Sequence, residues 1–317
     1  MKRCLLVLTL LLAGASFALH AQMQIRPGGK PIILGKDTIC YRYRFAPSDT
    51  LYVRIESRDS IVVPGYDPIE KERTEGLRIV CDSARNETYW LSMKLLSYAE
   101  RQRSGSDSSS RTSHPWMQRT MRLHIDSLGR RLHASVDDSS RALTSPGGMF
   151  QALRLPIIDS SCRRQNQSWM SSDTLFVPEN GVPAPEIRQR VLWRTGDLLD
   201  TLGRPAAWLQ YTLTGFAGVD VPDTSVKVTT IGTVAEFGRL VLDRGLGLPL
   251  SSSIWQEVRF RIQSGEQRNT AGRHLVVSTL SLMEVRAADP ARRWRNPDQS
   301  VFKRPTPTVR PKSRNRR

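Results

Sequence analysis

The stretch Ile39-Cys40-Tyr41-Arg42-Tyr43-Arg44-Phe45 alternates apolar or aromatic side chains with more polar ones. The run Leu51-Tyr52-Val53-Arg54-Ile55-Glu56 repeats this pattern after the turn-like Ala46-Pro47-Ser48-Asp49. A period of two places every second side chain on the same face of an extended strand. Two such runs separated by a short polar turn predict neighbouring strands that share one buried face.

The same period recurs along the chain, in Leu77–Cys81, Tyr89–Leu96, Trp255–Ile262 and His274–Val285. Gly, Pro, Asp and Ser separate these runs at short intervals, and no long amphipathic helix is predicted. The pattern therefore predicts an all-β, mainly antiparallel fold with little helix. A curved sheet or half-barrel and a β-sandwich both satisfy it.

One pentapeptide occurs twice: Asp126–Arg130 reads DSLGR and Asp200–Arg204 reads DTLGR. Asp favours the start of a tight turn and Gly provides a positive φ, so both segments are predicted to be hairpin tips. In the first hairpin, pairing of Leu123 with Leu132 places the apolar residues of both arms on one face. The opposite face then carries Arg122, His124, Arg131 and His133.

Residues 1–21 have the layout of a secretory signal peptide, with Lys2 and Arg3 before an apolar run and Ala21 at the cleavage position. We expect the mature chain to be exported, to the periplasm or outside the cell. Cys4 lies too early to accept a lipid after cleavage. The sequence after residue 21 contains no run of 18 apolar residues, so no transmembrane helix is predicted there.

The sequence predicts a globular body over residues 22–288, either as one large domain or as two similar halves. A Ser-rich segment, residues 101–114, is predicted to be a flexible loop in that body. The net charge is +17, and the Pro-rich residues 289–317, predicted to be a disordered tail, contribute much of it. An anionic envelope surface is the predicted partner of that tail, whereas nucleic acid is not expected.

Three cysteines remain after cleavage: Cys40, Cys81 and Cys162. One disulfide with a free thiol and three buried thiols are both compatible with the sequence. Cys40 and Cys81 fall on opposite phases of their runs, which weakens a pair between them. No two of the cysteines have the close spacing of a zinc or redox site.

His124 and His133 are the residues that a metal site would use first, because the hairpin register brings them near each other. Arg122 and Arg131 share their face, and no acidic or cysteine ligand completes a shell. His114 and His274 are isolated in the sequence. We therefore predict no metal site.

No nucleophile elbow, zinc-protease motif or phosphate-binding loop occurs. Ser300–Lys303 matches a Ser-x-x-Lys string but lies in the predicted tail. Asp137-Asp138 and the pair Asp220 and Asp223 are expected to be solvated loop carboxylates. The sequence thus predicts no catalytic, cofactor-binding or metal-binding residues and no cofactor, and a protein that is not an enzyme.

The large aromatic residues provide either a core or the lining of a ligand cavity. The core is the preferred interpretation, because a β domain of this size needs such residues. The tryptophans concerned are Trp90, Trp169, Trp193, Trp208 and Trp255.

The run Tyr43–Arg54, the hairpin tip Asp126–Gly129 and the segment Gly238–Gly245 together resemble a group of uncharacterised exported bacterial β-rich proteins. This sequence has Ser48 where that group has a turn glycine, and Gly245 comes one position early. The group is distantly similar to lipoprotein-carrier half-barrels. The resemblance implies an exported β fold that binds lipid, and it implies no catalytic residues.

We therefore expect a non-enzymatic exported envelope protein that binds an apolar ligand or lipid in a β cavity. A structural or interaction domain that docks another envelope protein is the alternative. A hydrolase assembled from residues distant in the sequence is a third possibility.

Overall fold

The computed structural model describes residues 30–31, 39–136, 155, 157–158, 162–176, 186–222, 227–264 and 268–297. The predicted signal peptide and the tail beyond residue 297 lie outside these ranges. The described strands, in chain order, are β1 Lys30–Pro31, β2 Thr50–Val62, β3 Ile69–Arg85, β4 Thr88–Ser104, β5 Asp107–Arg111, β6 Thr120–Asp126, β7 Arg131–Val136, β8 Ser168–Phe176, β9 Glu186–Thr201, β10 Arg204–Pro222, β11 Lys227–Asp243, β12 Pro249–Ser264, β13 Arg268–Arg286 and β14 Trp294–Arg295.

These strands form one curved antiparallel sheet, which confirms the predicted fold class. Its main order is β1-β9-β10-β11-β12-β13-β2-β3-β4-β6-β7, with β8 beside β9, β5 beside β4 and β14 beside β13. The sheet is not closed among the described strands, since no pairing joins β7 at one end of this order to β1 or β8 at the other. The two short helical segments are 3₁₀ turns at Pro115–Gln118 and Pro290–Arg292. No helix in the described part of the chain is long and apolar enough to cross a membrane.

One face of the sheet, here called the inner face, carries the core. Burial alternates along the strands, so every second side chain lies on this face. Each large apolar side chain buried there contributes roughly 1.5–3 kcal/mol to stability. On β2, β3 and β4 the buried members include Leu51, Val53, Ile55, Leu77, Ile79, Cys81, Leu91 and Met93.

The segment of residues 39–45, here called the N-terminal segment, is extended but is not the sheet strand that its alternation predicts. Its Tyr43 amide donates to the Ser127 carbonyl at 2.7 Å, and the Arg44 amide donates to the Gly247 carbonyl at 3.0 Å. It therefore bridges the β6–β7 turn and the β11–β12 turn. The predicted alternation is nevertheless real, since Tyr41, Tyr43 and Phe45 are buried in the core.

The structure resolves the cysteine alternatives. Cys40 forms a disulfide with Cys162, and Cys81 is a buried free thiol on β3. The disulfide links the N-terminal segment to the chain around residue 162. The neighbouring residues Ile39 and Arg163 form a β-bridge beside it.

Two predicted irregular segments are ordered in the described structure. Residues 101–111 are not a loop: they form a hairpin of β4 and β5, in which Arg103 pairs with Ser108. Gly105 at its tip has a φ of 57°. The body also continues past residue 288, because β14 pairs with β13 and Asn296 is buried.

The predicted hairpin tips are confirmed, with Gly129 and Gly203 at φ values of 83° and 71°. In the first hairpin Leu123 opposes Ala134 and not the predicted partner Leu132, which lies two residues away. A shift of two residues preserves the face, so Leu123 and Ala134 still share the predicted apolar face. A bulge beside His124 then leaves Leu132 exposed. The extra residue explains why the simple register did not extend to the turn.

Candidate functional site

Polar side chains replace apolar ones along part of the inner face, and we call this set the inner polar belt. Cross-strand pairing places Tyr211, Gly238, Ile254, Ser278, Ser57, Arg73, Glu100 and Arg111 in one row across eight strands. The next row passes through Glu236, Gln256, Val276 and Asp59. The belt consists of Asp59, Arg73, Glu75, Tyr98, Glu100, Arg111, Tyr211, Glu236, Ser252, Gln256 and His274.

A buried ion-pair group lies on β2 and β3. The Arg73 Nη2 atom is 2.9 Å from Asp59 Oδ2, and Arg73 Nη1 is 3.9 Å from Glu75 Oε1. All three side chains are at most 5% exposed. Burial raises the pKa of Asp59, while the charges of Arg73 and Lys71 oppose that rise. Burial of this pair is costly unless its geometry stays intact, so it fixes the relative position of the two strands.

A second group lies on β4 and β5. Tyr98 donates its hydroxyl to Glu100 Oε2 at 2.6 Å, and Arg111 Nε lies 2.9 Å from Glu100 Oε1. Burial alone would raise the pKa of Glu100, but the hydrogen bonds from Tyr98 and Arg111 lower it overall. The His114 ring lies 5.0 Å from the Tyr98 ring, and burial followed by the Arg111 charge lowers the His114 pKa. This group is satisfied by its own members.

The third group lies on β10, β11 and β12. Tyr211 donates to Glu236 Oε1 at 2.6 Å, and Gln256 Nε2 donates to Glu236 Oε2 at 2.8 Å. Burial raises the pKa of Glu236. Gly238 makes this arrangement possible, because a Cβ at that position would lie 2.0 Å from Tyr211 Cζ. The ring therefore lies across β11 and directs its hydroxyl at the carboxyl group.

Several buried polar atoms of the belt have no hydrogen-bond partner among the described residues. They are Ser252 Oγ and Gln256 Oε1 on β12, His274 Nε2 on β13 and Arg73 Nε on β3. The four residues are between 4% and 9% exposed. An unpaired buried polar group costs about 1–3 kcal/mol. The belt therefore has unused hydrogen-bonding capacity on three nearby strands, of both donor and acceptor type.

The histidines considered for a metal site do not form one in the described residues. His124 pairs directly with His133 on the outer face, the face opposite the core, and its ring stacks on Trp90 at a centroid distance of 4.2 Å. No group of three His, Cys, Asp or Glu side chains in the described ranges could hold a metal ion. His114 and His274 lie at the belt instead. Their isolation in the sequence gave no sign of this.

The other candidates are only partly described. Asp137-Asp138, Asp223 and Ser300–Lys303 lie outside the described residues. Of the tryptophans, Trp193 is a core residue, and Trp169 and Trp208 pack against the core. Trp90 and Trp255 are different, since they are 41% and 39% exposed. The core interpretation is wrong for these two.

The sequence pattern did not predict the belt. Its polar residues occupy the buried positions of the alternation, and such residues are easily taken for the exposed end of a strand. Ser57 and Asp59 continue the buried phase of Val53 and Ile55 on β2. Arg73 likewise shares its phase with the buried residues of β3. This continuation of phase on two neighbouring strands is the signal that would have predicted the belt.

No protein-family model matches the sequence, and no curated protein matches it significantly. Among solved structures, the chain is distantly similar to Pseudomonas aeruginosa OpdQ, with a TM-score of 0.26 and 8% identity over 75% of this chain and 100% of that one. Pseudomonas aeruginosa OccK2 (OpdF), solved in complex with glucuronate, gives a TM-score of 0.23 and 8% identity over 74% of this chain and 98% of that one. Likeness at this level does not establish a shared fold, and glucuronate is a ligand of that protein alone.

Proposed function

We propose that the chain is an exported, non-enzymatic binding protein of the bacterial envelope that holds an amphipathic ligand, such as a lipid, at the inner polar belt. The observation that carries this proposal is the set of unpartnered buried atoms on Ser252, Gln256, His274 and Arg73. A ligand with hydroxyl, amide or phosphate-ester groups would supply the missing donors and acceptors. Ligand sites commonly combine an apolar wall with a few convergent polar groups.

The apolar part of such a ligand has neighbouring side chains to contact. Val234, Val258 and Val276 lie on the inner face of β11, β12 and β13, in the rows that contain Gln256 and His274. Tyr41, Tyr43 and Phe45 of the N-terminal segment belong to the same core cluster as Val234 and Val258.

The contacts of the belt favour binding over catalysis. Its tyrosines and carboxyl groups bond to one another, as in the pair Tyr98 and Glu100 and the pair Tyr211 and Glu236. No hydrogen bond described in the belt joins a serine or cysteine to a histidine, which is the arrangement that activates a nucleophile.

Solvent extraction of the exported protein tests the proposal. The protein is produced in a bacterial host with its own leader, purified, extracted with chloroform and methanol, and the extract is analysed by mass spectrometry. We expect about one amphipathic molecule per chain, and a large reduction in Ser252→Ala and Gln256→Met. Ser253→Ala is the matched control, because Ser253 is the next residue and points to the outer face.

The stability of Ser252→Ala provides a second readout. If the hydroxyl is held in reserve for a ligand, the ligand-free variant is more stable than the ligand-free wild type by about 1 kcal/mol, because an unpaired buried group is removed. An empty extract together with a destabilised Ser252→Ala variant would overturn the proposal, since the hydroxyl would then have a purely structural partner.

The alternative, a domain that docks another envelope protein, is favoured by one outer-face feature. A groove of 710 Å³ runs over β13, β2, β3, β4 and β5, and its lining mixes both signs of charge. Charged lining residues include Glu56, Arg58, Glu72 and Arg101. A protein that co-purifies in place of a small molecule, and is released by Arg101→Glu, would favour this function.

A further inference from the structure

The outer face carries a row of six side chains outside the core, of which five are apolar and the sixth is Thr212. Register places Met170, Leu192, Thr212, Phe237, Trp255 and Val277 side by side on β8 to β13, and we call these six residues the outer band. Met170 is 70% exposed, Leu192 53%, Val277 49% and Trp255 39%. Five steps between strands make the outer band about 24 Å long.

The outer band ends where the same row becomes charged. Beyond Val277 it continues as Arg58 on β2, Glu72 on β3 and Arg101 on β4. One row of one sheet therefore has an apolar half and a charged half. Scattered exposed apolar residues need no explanation, but a contiguous apolar row marks an interaction surface.

Arginines lie on both sides of the outer band. Arg190 and Arg194 are two residues before and after Leu192 on β9, and Arg239 is two residues after Phe237 on β11. Arg259 and Arg273 oppose each other on β12 and β13. The acid Glu257, two residues after Trp255 on β12, lies 2.8 Å from Arg259. The surface is therefore apolar at its centre and cationic at its border.

We infer that the outer band docks the protein on an anionic phospholipid surface. Tryptophan is favoured at the boundary between headgroups and acyl chains, and arginine forms bidentate bonds with phosphate. A second copy of the chain is a poor occupant, because its own arginines would face these arginines. Nucleic acid would leave Met170, Leu192 and Val277 without an apolar partner. This surface is distinct from the belt and from the basic residues beyond 297.

Co-sedimentation with vesicles tests the inference on the full mature chain. The vesicles are phosphatidylcholine with 30% phosphatidylglycerol by design, compared with pure phosphatidylcholine. We expect binding to the anionic vesicles, weakening at high salt, and about a tenfold loss of affinity in Trp255→Ser, since an apolar contact of that size is removed. Arg190→Gln with Arg194→Gln is expected to weaken binding in low salt.

Trp90→Ser is the matched control. Trp90 is an outer-face tryptophan of nearly equal exposure on β4, outside the outer band. Circular dichroism and the thermal midpoint establish that each variant is folded. Equal losses in Trp255→Ser and Trp90→Ser, or vesicle binding unchanged in Trp255→Ser, would overturn the inference. The latter result would assign the binding to the basic tail.

A protein partner would give another pattern. If the chain binds soluble polyglutamate but not anionic vesicles, and Trp255→Ser weakens the polyglutamate binding, the outer band is a site for an acidic polypeptide and the lipid assignment is wrong. Quenching of Trp255 fluorescence by brominated lipid, absent in Trp255→Phe, would support insertion of the band directly.

Discussion

Asp49 and Arg292 form an ion pair with two charged hydrogen bonds, although 243 positions separate them in the chain. Arg292 donates from Nη2 to Asp49 Oδ2 at 2.6 Å and from Nε to the same oxygen at 3.0 Å. The Asp49 side chain is 1% exposed and its carboxylate also accepts a hydrogen bond from the Ala46 amide. The pair joins the turn before β2 to the segment after β13, and so ties both ends of the described body together.

Removal of the arginine should therefore destabilise the fold. Arg292→Ala leaves a buried carboxylate without its cation, which typically costs about 3 kcal/mol or more. Urea denaturation measures this loss. Arg293→Ala is the control, since the Arg293 side chain is exposed and donates to the Ala287 and Ala288 carbonyls rather than to a buried carboxylate. Equal midpoints for the two variants would contradict the role given to Arg292.

The same pair predicts where the chain can be shortened. A chain ending after Pro297 retains Arg292 and β14 and is expected to keep the stability of the full chain. A chain ending at Ala288, where the sequence pattern placed the boundary, loses both and is expected to unfold at lower urea. The reverse order of stability would show that the segment after residue 288 is a passive tail.

Thiol labelling should separate the cysteines. Burial raises the pKa of Cys81 to about 11, so in the folded protein this thiol should not react with iodoacetamide at pH 8. After unfolding without reductant one thiol should react. Cys40→Ser removes a bond that spans 122 positions and is expected to cost about 3–5 kcal/mol. Rapid labelling of the native wild-type chain would contradict the buried position of Cys81.

Stability should depend on pH through His274. Burial, and then the charges of Arg73 and Lys71, lower the pKa of His274 from 6.5 to about 4. Between these values the unfolded chain binds a proton that the folded chain does not. The free energy of unfolding therefore falls as the pH is lowered through this window, by roughly 3 kcal/mol at most.

The His274→Gln variant isolates this effect from the carboxyl groups of the belt. The free energies of unfolding of wild type and variant are compared by urea denaturation from pH 7 to pH 4. The wild type should lose stability relative to the variant as the pH is lowered. His133→Gln, at an exposed position on β7, should leave the profile of the wild type unchanged. A pH-independent difference for His274→Gln would show that folding does not shift the pKa of His274.

A turn substitution should stabilise the protein. Ser48 has a φ of 70°, a conformation that costs a non-glycine residue about 1 kcal/mol. Ser48→Gly is therefore expected to raise the unfolding free energy by a fraction of this amount, since glycine also has more freedom in the unfolded chain. Ser60→Gly, in the interior of β2, is expected to lower it. Thermal melts of the two variants provide the comparison.

Local pattern predicted the strands well, because burial on one face imposes a period of two that the sequence records. It also predicted the turns, where Gly129 and Gly203 adopt positive φ. It did not predict that residues 39–45 would leave the sheet and cover its core. Alternation specifies an extended chain with one buried side, and contacts such as Tyr43 to Ser127 decide where that chain lies.

The belt and the outer band depend on register between strands distant in sequence. Val277 follows Trp255 by 22 positions yet lies beside it, and Asp59 lies beside Val276. Single-sequence periodicity assigns a face to each residue but does not align one strand with another. Both surfaces therefore became visible only once the strand pairing was known.

Native mass spectrometry of the protein, exported with its own leader, tests most directly the claim that the inner polar belt holds a ligand. We expect an adduct of lipid mass, one per chain, that denaturation releases. Ser252→Ala should lose this adduct and Ser253→Ala should retain it. A wild-type mass equal to that of the bare chain, with no adduct in either the wild type or Ser252→Ala, would contradict the claim.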